Sequence, residues 1–176
     1  MIRSRELLAA VEGELPMAEF SPDRVYRYIL RRRWNPKPPI GFILLNPSTA
    51  DETQDDPTIR RCIGYAKALD AGGLVLGNLF ALRATDPREL RSAVDPIGPG
   101  NDSAIFFLVE ELKDTPLICG WGNHGTLEKR GNAVLRHLRQ LQARAMALAL
   151  TKIGEPAHPL YLKADLRPFD LFGEIP

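Results

Sequence analysis

The chain has 176 residues, with 23 Lys+Arg against 22 Asp+Glu, a formal charge of +1 and 44% hydrophobic residues. A chain of this length and balance has enough apolar material for one full globular core, which excludes a disordered, coiled-coil or collagenous protein. Its longest apolar runs, AIFFLV and AMALAL, fall far short of the roughly 18 residues that a membrane span requires.

The N-terminal stretch MIRSRELLAAVEGELP predicts a short helix around Glu6 to Glu12. Its acidic interruptions leave no signal-peptide h-region, so a cytoplasmic location is expected. RVYRYILRRRW then reads as a strand, with Tyr26, Tyr28 and Leu30 on one side and Arg27, Arg31 and Arg33 mostly on the other. Arg31, Arg32 and Arg33, with Lys37, form the one dense basic cluster. It is either a solvated strand edge or a set of phosphate contacts.

A regular alternation follows. IGFILLN is an apolar run of strand length, and DDPTIRRCIGYAKALDAGG is punctuated as a helix, with Asp56 as N-cap, Pro57 in the first turn and Gly72 with Gly73 closing the end. LVLGN is the next strand. A helix capped by Asn101 or Asp102 leads to the strand PLICGWG, Thr126 caps a long helix, and AMALALT is the last strand. Apolar strands alternating with amphipathic helices predict an α/β, three-layer sandwich around a four-stranded parallel sheet, with a strand or hairpin added at the N-terminus. A single domain over residues 1–176 is expected, with an extension over 1–38, the α/β core over 39–163 and a tail over 164–176.

Only Cys62 and Cys119 are present, without CxxC spacing, so neither a disulfide framework nor a cysteine-ligated metal site is indicated, and no cofactor is implied. In an open α/β sheet, ligands bind beyond the carboxyl ends of the strands. Four segments follow those ends here: Asn46, Pro47 and Ser48, with Asp51 nearby; Asn78 and Phe80, with Arg83 and Asp86 beyond; Trp121, Asn123 and His124; and Lys152, His158 and Tyr161. An Asn amide can hold a water or read a base edge, and a His can stabilise a departing anion. Plainer roles exist for the same residues. Asn46, Asp51, Asp55 and Asp56 suit turns and caps, Arg83 suits a pair with Asp86, and a loop His is ordinarily solvated.

GFILLNPSTAD, DDPTIRRC, NLFALRATDP and HPLYL closely resemble, over nearly the whole chain, domain-of-unknown-function family 1643, a bacterial and phage family with no assigned function. The order and placement of the segments also resemble the uracil-DNA glycosylase superfamily. ILLNPS is similar to the first motif of its mismatch-specific branch, which implies that Asn46 positions the hydrolytic water. VLGNLFALRA is similar to the second strand end, which implies that Asn78 reads a flipped pyrimidine. LICGWGNHG resembles the third motif. AHPLYL resembles the His-Pro-Ser loop, which implies that His158 stabilises the leaving base while Leu160, Tyr161 and Leu162 wedge the duplex. Leu160 stands where that superfamily has Ser, and no Asp follows the first strand as in its most active branch. Phe80, Trp121 and Tyr161 are the candidates to stack on a base.

Three readings therefore stand open. The first is hydrolysis of an N-glycosidic bond in DNA or a nucleotide, with Asn46, His158 and Asp51 catalytic; Pro47, Ser48, Asn78, Phe80, Arg83, Trp121, Asn123, His124 and Tyr161 lining the pocket; and Arg31, Arg32, Arg33 and Lys152 on the backbone. The second is a non-catalytic module binding a nucleotide or modified base. The third is a small-molecule enzyme using Asp51, Asp55 and Asp56 with a metal. The expected partner is a nucleobase, a nucleotide or DNA and not a membrane; the sequence carries no sign of oligomeric state.

Overall fold

The computed structural model describes residues 17–173, so the helix expected near Glu6 lies outside the described residues. The chain opens with a hairpin, β1 (Met17–Phe20) and β2 (Arg27–Arg33). It continues through β3 (Pro39–Leu44), α1 (Pro57–Ala68), β4 (Gly73–Asn78), the short α2 (Glu89–Ser92), α3 (Asn101–Glu111) and β5 (Leu117–Gly120). A 3-10 turn (Asn123–Lys129) leads into α4 (Arg130–Gln140). β6 (Ala145–Ala147), a second 3-10 turn (Pro159–Tyr161) and β7 (Phe169–Asp170) complete the chain.

The strands form one mixed seven-stranded sheet in the order β1-β2-β4-β3-β5-β6-β7. β4, β3, β5 and β6 run parallel to one another, β2 joins β4 antiparallel, and β7 joins β6 antiparallel. The expected four-stranded sheet is thus extended on both sides. β7 escaped the sequence pattern because two residues are too few to express a period.

The sheet carries a hydrophobic core on each face. On one, Phe42, Leu44, Leu74 and Leu76 meet Ile59, Cys62, Tyr65 and Ala66 of α1. On the other, Ile43, Val75, Leu117 and Cys119 meet Ala104, Ile105 and Leu108 of α3 and Val134 and Leu138 of α4. Phe42, Ile43 and Leu74 are fully buried, and each such side chain contributes about 1.5–3 kcal/mol of transfer free energy. Cys62 and Cys119 are free thiols buried in opposite cores, and burial pushes both thiol pKa values up.

α1 starts as its sequence predicts: Asp56 Oδ1 accepts from the Ile59 amide at 2.9 Å, and Pro57 occupies the first turn. Its end differs. The left-handed residue is Asp70 (φ 61°), not a glycine. Gly72 and Gly73 are required for another reason, because a Cβ would stand 2.0 Å from the Lys37 carbonyl oxygen at the former and 2.5 Å from that of Arg32 at the latter.

The basic cluster on β2 is engaged within the protein. Arg31 is buried and paired with Glu19 of β1 and, at 2.8 Å, with Glu111 of α3. Arg32 is buried against Asp55 at 2.7 Å and the Asp51 carbonyl at 2.7 Å, while Arg33 donates to the Pro36 carbonyl. Strand direction places them there. β2 is antiparallel to β4, so Arg33 lies opposite Gly73, the first residue of β4, at the edge of the sheet away from Leu44, Asn78 and Gly120. The side assignment along β2 also changes at its start. A register irregularity between Glu19 and Phe20 re-aims Arg27, whose Nη1 reaches the Ala50 carbonyl at 2.7 Å within the α1 core.

Candidate functional site

The carboxyl ends of the parallel strands open into a cavity of about 600 Å³, the size of a small-molecule site. All four post-strand segments contribute. Leu45, Asn46, Ser48 and Thr49 follow β3, with Asp56 to Thr58 at the start of α1. Ala84, Thr85 and Pro87 follow β4. Trp121 to His124 follow β5, and Thr151 with Ala157 to Leu162 follow β6.

The first two loops are zipped together by backbone: Leu79 donates to Leu44, Phe80 to Leu45 and Ala84 to Pro47. Asn46 completes that seam. Its Nδ2 donates to the carbonyls of Pro47 (3.0 Å) and Ala84 (2.8 Å), a duty only the NH₂ end of the amide can perform. Oδ1 then has no hydrogen bond among the described residues, on a residue that lines the cavity. Pro47 itself is buried and contributes its carbonyl, not a surface of the cavity.

His158 enters on the loop after β6, held against the sheet because Gly120 leaves room for Pro159; a Cβ there would lie 2.7 Å from the proline Cδ. Nδ1 of His158 accepts a long 3.4 Å hydrogen bond from the Leu160 amide. Burial lowers the imidazole pKa to about 4, overriding the attraction of the Asp56 carboxylate. At neutral pH the ring is therefore uncharged, and with Nδ1 accepting, the proton resides on Nε2 as a donor.

Trp121 forms a fixed wall. It is 1% exposed, its Nε1 donates to Glu155 Oε2 at 2.6 Å, and Gly125 and Gly131 pack so closely on the indole that a Cβ would meet it at 2.0 and 2.9 Å. That packing also explains why the helix expected from Thr126 begins only at Arg130. The chain bends around the indole through left-handed Glu128 and Lys129, and Thr126 Oγ1 bonds the Asn123 carbonyl instead. Tyr161, 82% exposed, stands at the rim 5.7 Å from the His158 ring. Asn123 and His124 are exposed lining residues, as is Ser48 in part.

Other expected site residues lie elsewhere. Asp51 accepts from the Thr53 and Gln54 amides in its own turn, which holds its carboxyl below the ordinary range, and it does not line the cavity. Phe80 is fully buried in the α3/α4 core. Arg83 donates to the Arg24 carbonyl and lies over the Phe20 ring, while Asp86 pairs with Arg88, so the expected Arg83–Asp86 pair is absent. Lys152 is exposed, next to the lining Thr151. Asn78 is 1% exposed and does not line the cavity; it pairs in register with Leu44, and both atoms of its amide are buried without a partner.

Sequence reasoning missed one carboxylate in this role. Asp56 lines the cavity with Oδ1 on the Ile59 amide and Oδ2 3.4 Å from the Ala50 amide. The signal was present, because the cap of a helix that follows a parallel strand sits at the strand's carboxyl edge. Arg27, buried and without a carboxylate hydrogen bond, has its pKa lowered by desolvation to about 10, with Asp56 opposing that shift. The metal reading loses its trio, since Asp51 closes a turn, Asp55 pairs with Arg32 and Asp56 caps α1. Among the described residues no group of three or more His, Cys, Asp or Glu is placed to hold an ion.

Residues 27–160 match the family described as "Protein of unknown function (DUF1643)". The chain belongs to this family. The matched span of DUF1643 runs from β2 to the second 3-10 turn and contains Asn46, Asp56, Asn78, Trp121 and His158. No curated protein and no solved structure matches the chain. Among the described residues, no helix is long and apolar enough to cross a membrane.

Proposed function

We propose that this chain recognises a nucleobase in the strand-end cavity and hydrolyses the bond joining that base to its sugar. The observation that carries the reading is a pair of groups on the cavity wall: an Asn46 amide oxygen with no hydrogen bond among the described residues and a neutral His158 whose Nε2–H is left to donate. The first is suited to accept from a water, and the second to donate to an anion leaving the sugar. In the step, the water oxygen bonds to the anomeric carbon while the carbon–nitrogen bond breaks. The electron pair departs with the base, and the water's proton passes to the Asp56 carboxylate. Asp56 replaces Asp51 in that role because it is the carboxylate on the cavity wall.

Two further features support base recognition. Trp121 walls the cavity with a fixed indole edge, and Tyr161 presents an exposed ring at the mouth. A binding module without catalysis is the second reading, favoured by one fact: each Asp56 oxygen already accepts a backbone amide, so both are engaged in the fold.

The test is abasic-site formation on single- and double-stranded oligonucleotides carrying uracil, hypoxanthine, thymine mismatches or modified pyrimidines. Asn46→Ala and His158→Ala are each expected to lower the rate by about a hundredfold or more. Base binding without cleavage, lost in Asn46→Ala, leaves the binding module. Neither cleavage nor binding overturns both readings.

A further inference from the structure

A second concavity, of about 450 Å³, runs along the outer face of α1 and meets the cavity at Pro57 and Leu160, which line both. Its walls carry Arg60 and Arg61, and among the described residues no carboxylate lines it; the field of Asp165 reaches its Tyr65. Arg60 is anchored to the Asp55 carbonyl at 2.5 Å. Arg61 is half-buried and has no hydrogen bond or ion pair among the described residues, in contrast to Arg31, Arg32 and Arg130, which are all neutralised. A cation so placed, beside a cavity and free of partners, is available to a ligand.

Gly64 is an independent pointer to the same place. It lies in the middle of α1, where glycine is the costliest residue after proline, and a Cβ there would meet nothing within 4 Å. No packing contact within the protein demands the glycine. It lines this groove, and its missing side chain keeps the floor flat beside the two arginines.

We propose that the groove is the phosphate subsite of the cavity: Arg61, assisted by Arg60, holds the phosphate attached to the sugar whose base occupies the cavity, and Gly64 lets the sugar-phosphate lie against the helix. This rests on the nucleobase reading and narrows its substrate to phosphate-bearing forms. The phosphate belongs either to a free nucleotide or to a nucleic-acid strand, and the assay separates the two.

Binding is measured by titration with deoxyuridine, deoxyuridine 5′-monophosphate and a nine-residue single strand containing one deoxyuridine, at 50 and 200 mM salt. Wild type is expected to bind the monophosphate at least tenfold more tightly than the nucleoside. Arg61→Ala should abolish that gain and leave nucleoside affinity unchanged, Arg61→Lys should keep part of it, and Gly64→Leu should remove it by filling the floor. A gain for the strand beyond the monophosphate, with a salt slope reduced by about one in Arg61→Ala, assigns the phosphate to nucleic acid. A gain for the monophosphate alone assigns it to a free nucleotide. Equal affinity for nucleoside and monophosphate in wild type, or no change in Arg61→Ala, overturns the subsite while leaving the base reading intact. If neither the nucleoside nor the monophosphate binds, the strand is tested with a tetrahydrofuran residue in place of deoxyuridine. Binding lost in Arg61→Ala then upholds the groove without the base cavity, and no binding overturns both.

Discussion

The protonation state of His158 makes the cavity's electrostatics measurable through folding. Its pKa drops from an ordinary 6.5 to about 4 in the folded protein, because burial disfavours the cation more than Asp56 favours it. The unfolded chain therefore takes up the proton first, and stability falls as pH is lowered from about 6.5 towards 4; above 6.5 both states are neutral and the term vanishes. At about 1.4 kcal/mol per pH unit, lowering pH from 7.5 to 5 costs at most about 2 kcal/mol through this one group. Solvent at the cavity mouth reduces that to roughly 1–2 kcal/mol, or about 2–8 °C in Tm for a chain of this size. His158→Asn keeps a side-chain acceptor for the Leu160 amide and removes the titration. Thermal and urea unfolding at pH 7.5, 6, 5.5 and 5 should show a shallower decline for the variant than for wild type. Parallel curves would refute the burial argument and, with it, the neutral Nε2–H donor on which the proposed chemistry depends.

Three further outcomes follow from the packing. Gly64→Ala should raise stability by about 0.5–1 kcal/mol in urea denaturation, since the helix gains propensity and the new methyl meets no atom; a loss would mean that the groove is occupied in the folded protein. Gly125→Ala should cost about 1–3 kcal/mol and displace the Trp121 wall, because the added carbon lands 2.0 Å from the indole. Asn78→Leu, which removes two orphaned polar atoms at similar volume, should stabilise by about 1–2 kcal/mol in the same assay, whereas destabilisation beyond 1 kcal/mol would show that the amide is satisfied in solution.

The alternation of buried strands and capped helices was legible because each element is locally self-consistent. IGFILL has no polar interruption, and Asp56-Pro57 can begin little other than a helix. The convergence of Asn46, Trp121 and His158 on one edge likewise follows from strand direction and the rule for open α/β sheets. What stayed hidden depends on partners distant in sequence. Nothing near Arg31 announces Glu19 and Glu111 as its counter-ions, and nothing near Arg33 shows that β2 runs against its neighbour. The late start of α4 is decided by the volume of Trp121, and the departure of Asp51 by two amides of its own turn.

The indole that walls the cavity gives the protein an optical reading of its own occupancy. The chain has two tryptophans; Trp34 hydrogen-bonds the Ala71 carbonyl beneath Lys67, in the region of α1's far end, while Trp121 lines the cavity with its Nε1 locked to Glu155. In a Trp34→Phe background, the remaining emission comes from a ring whose orientation and hydrogen bond are fixed. A change in that emission on ligand entry would then report binding without a label and on the timescale of mixing.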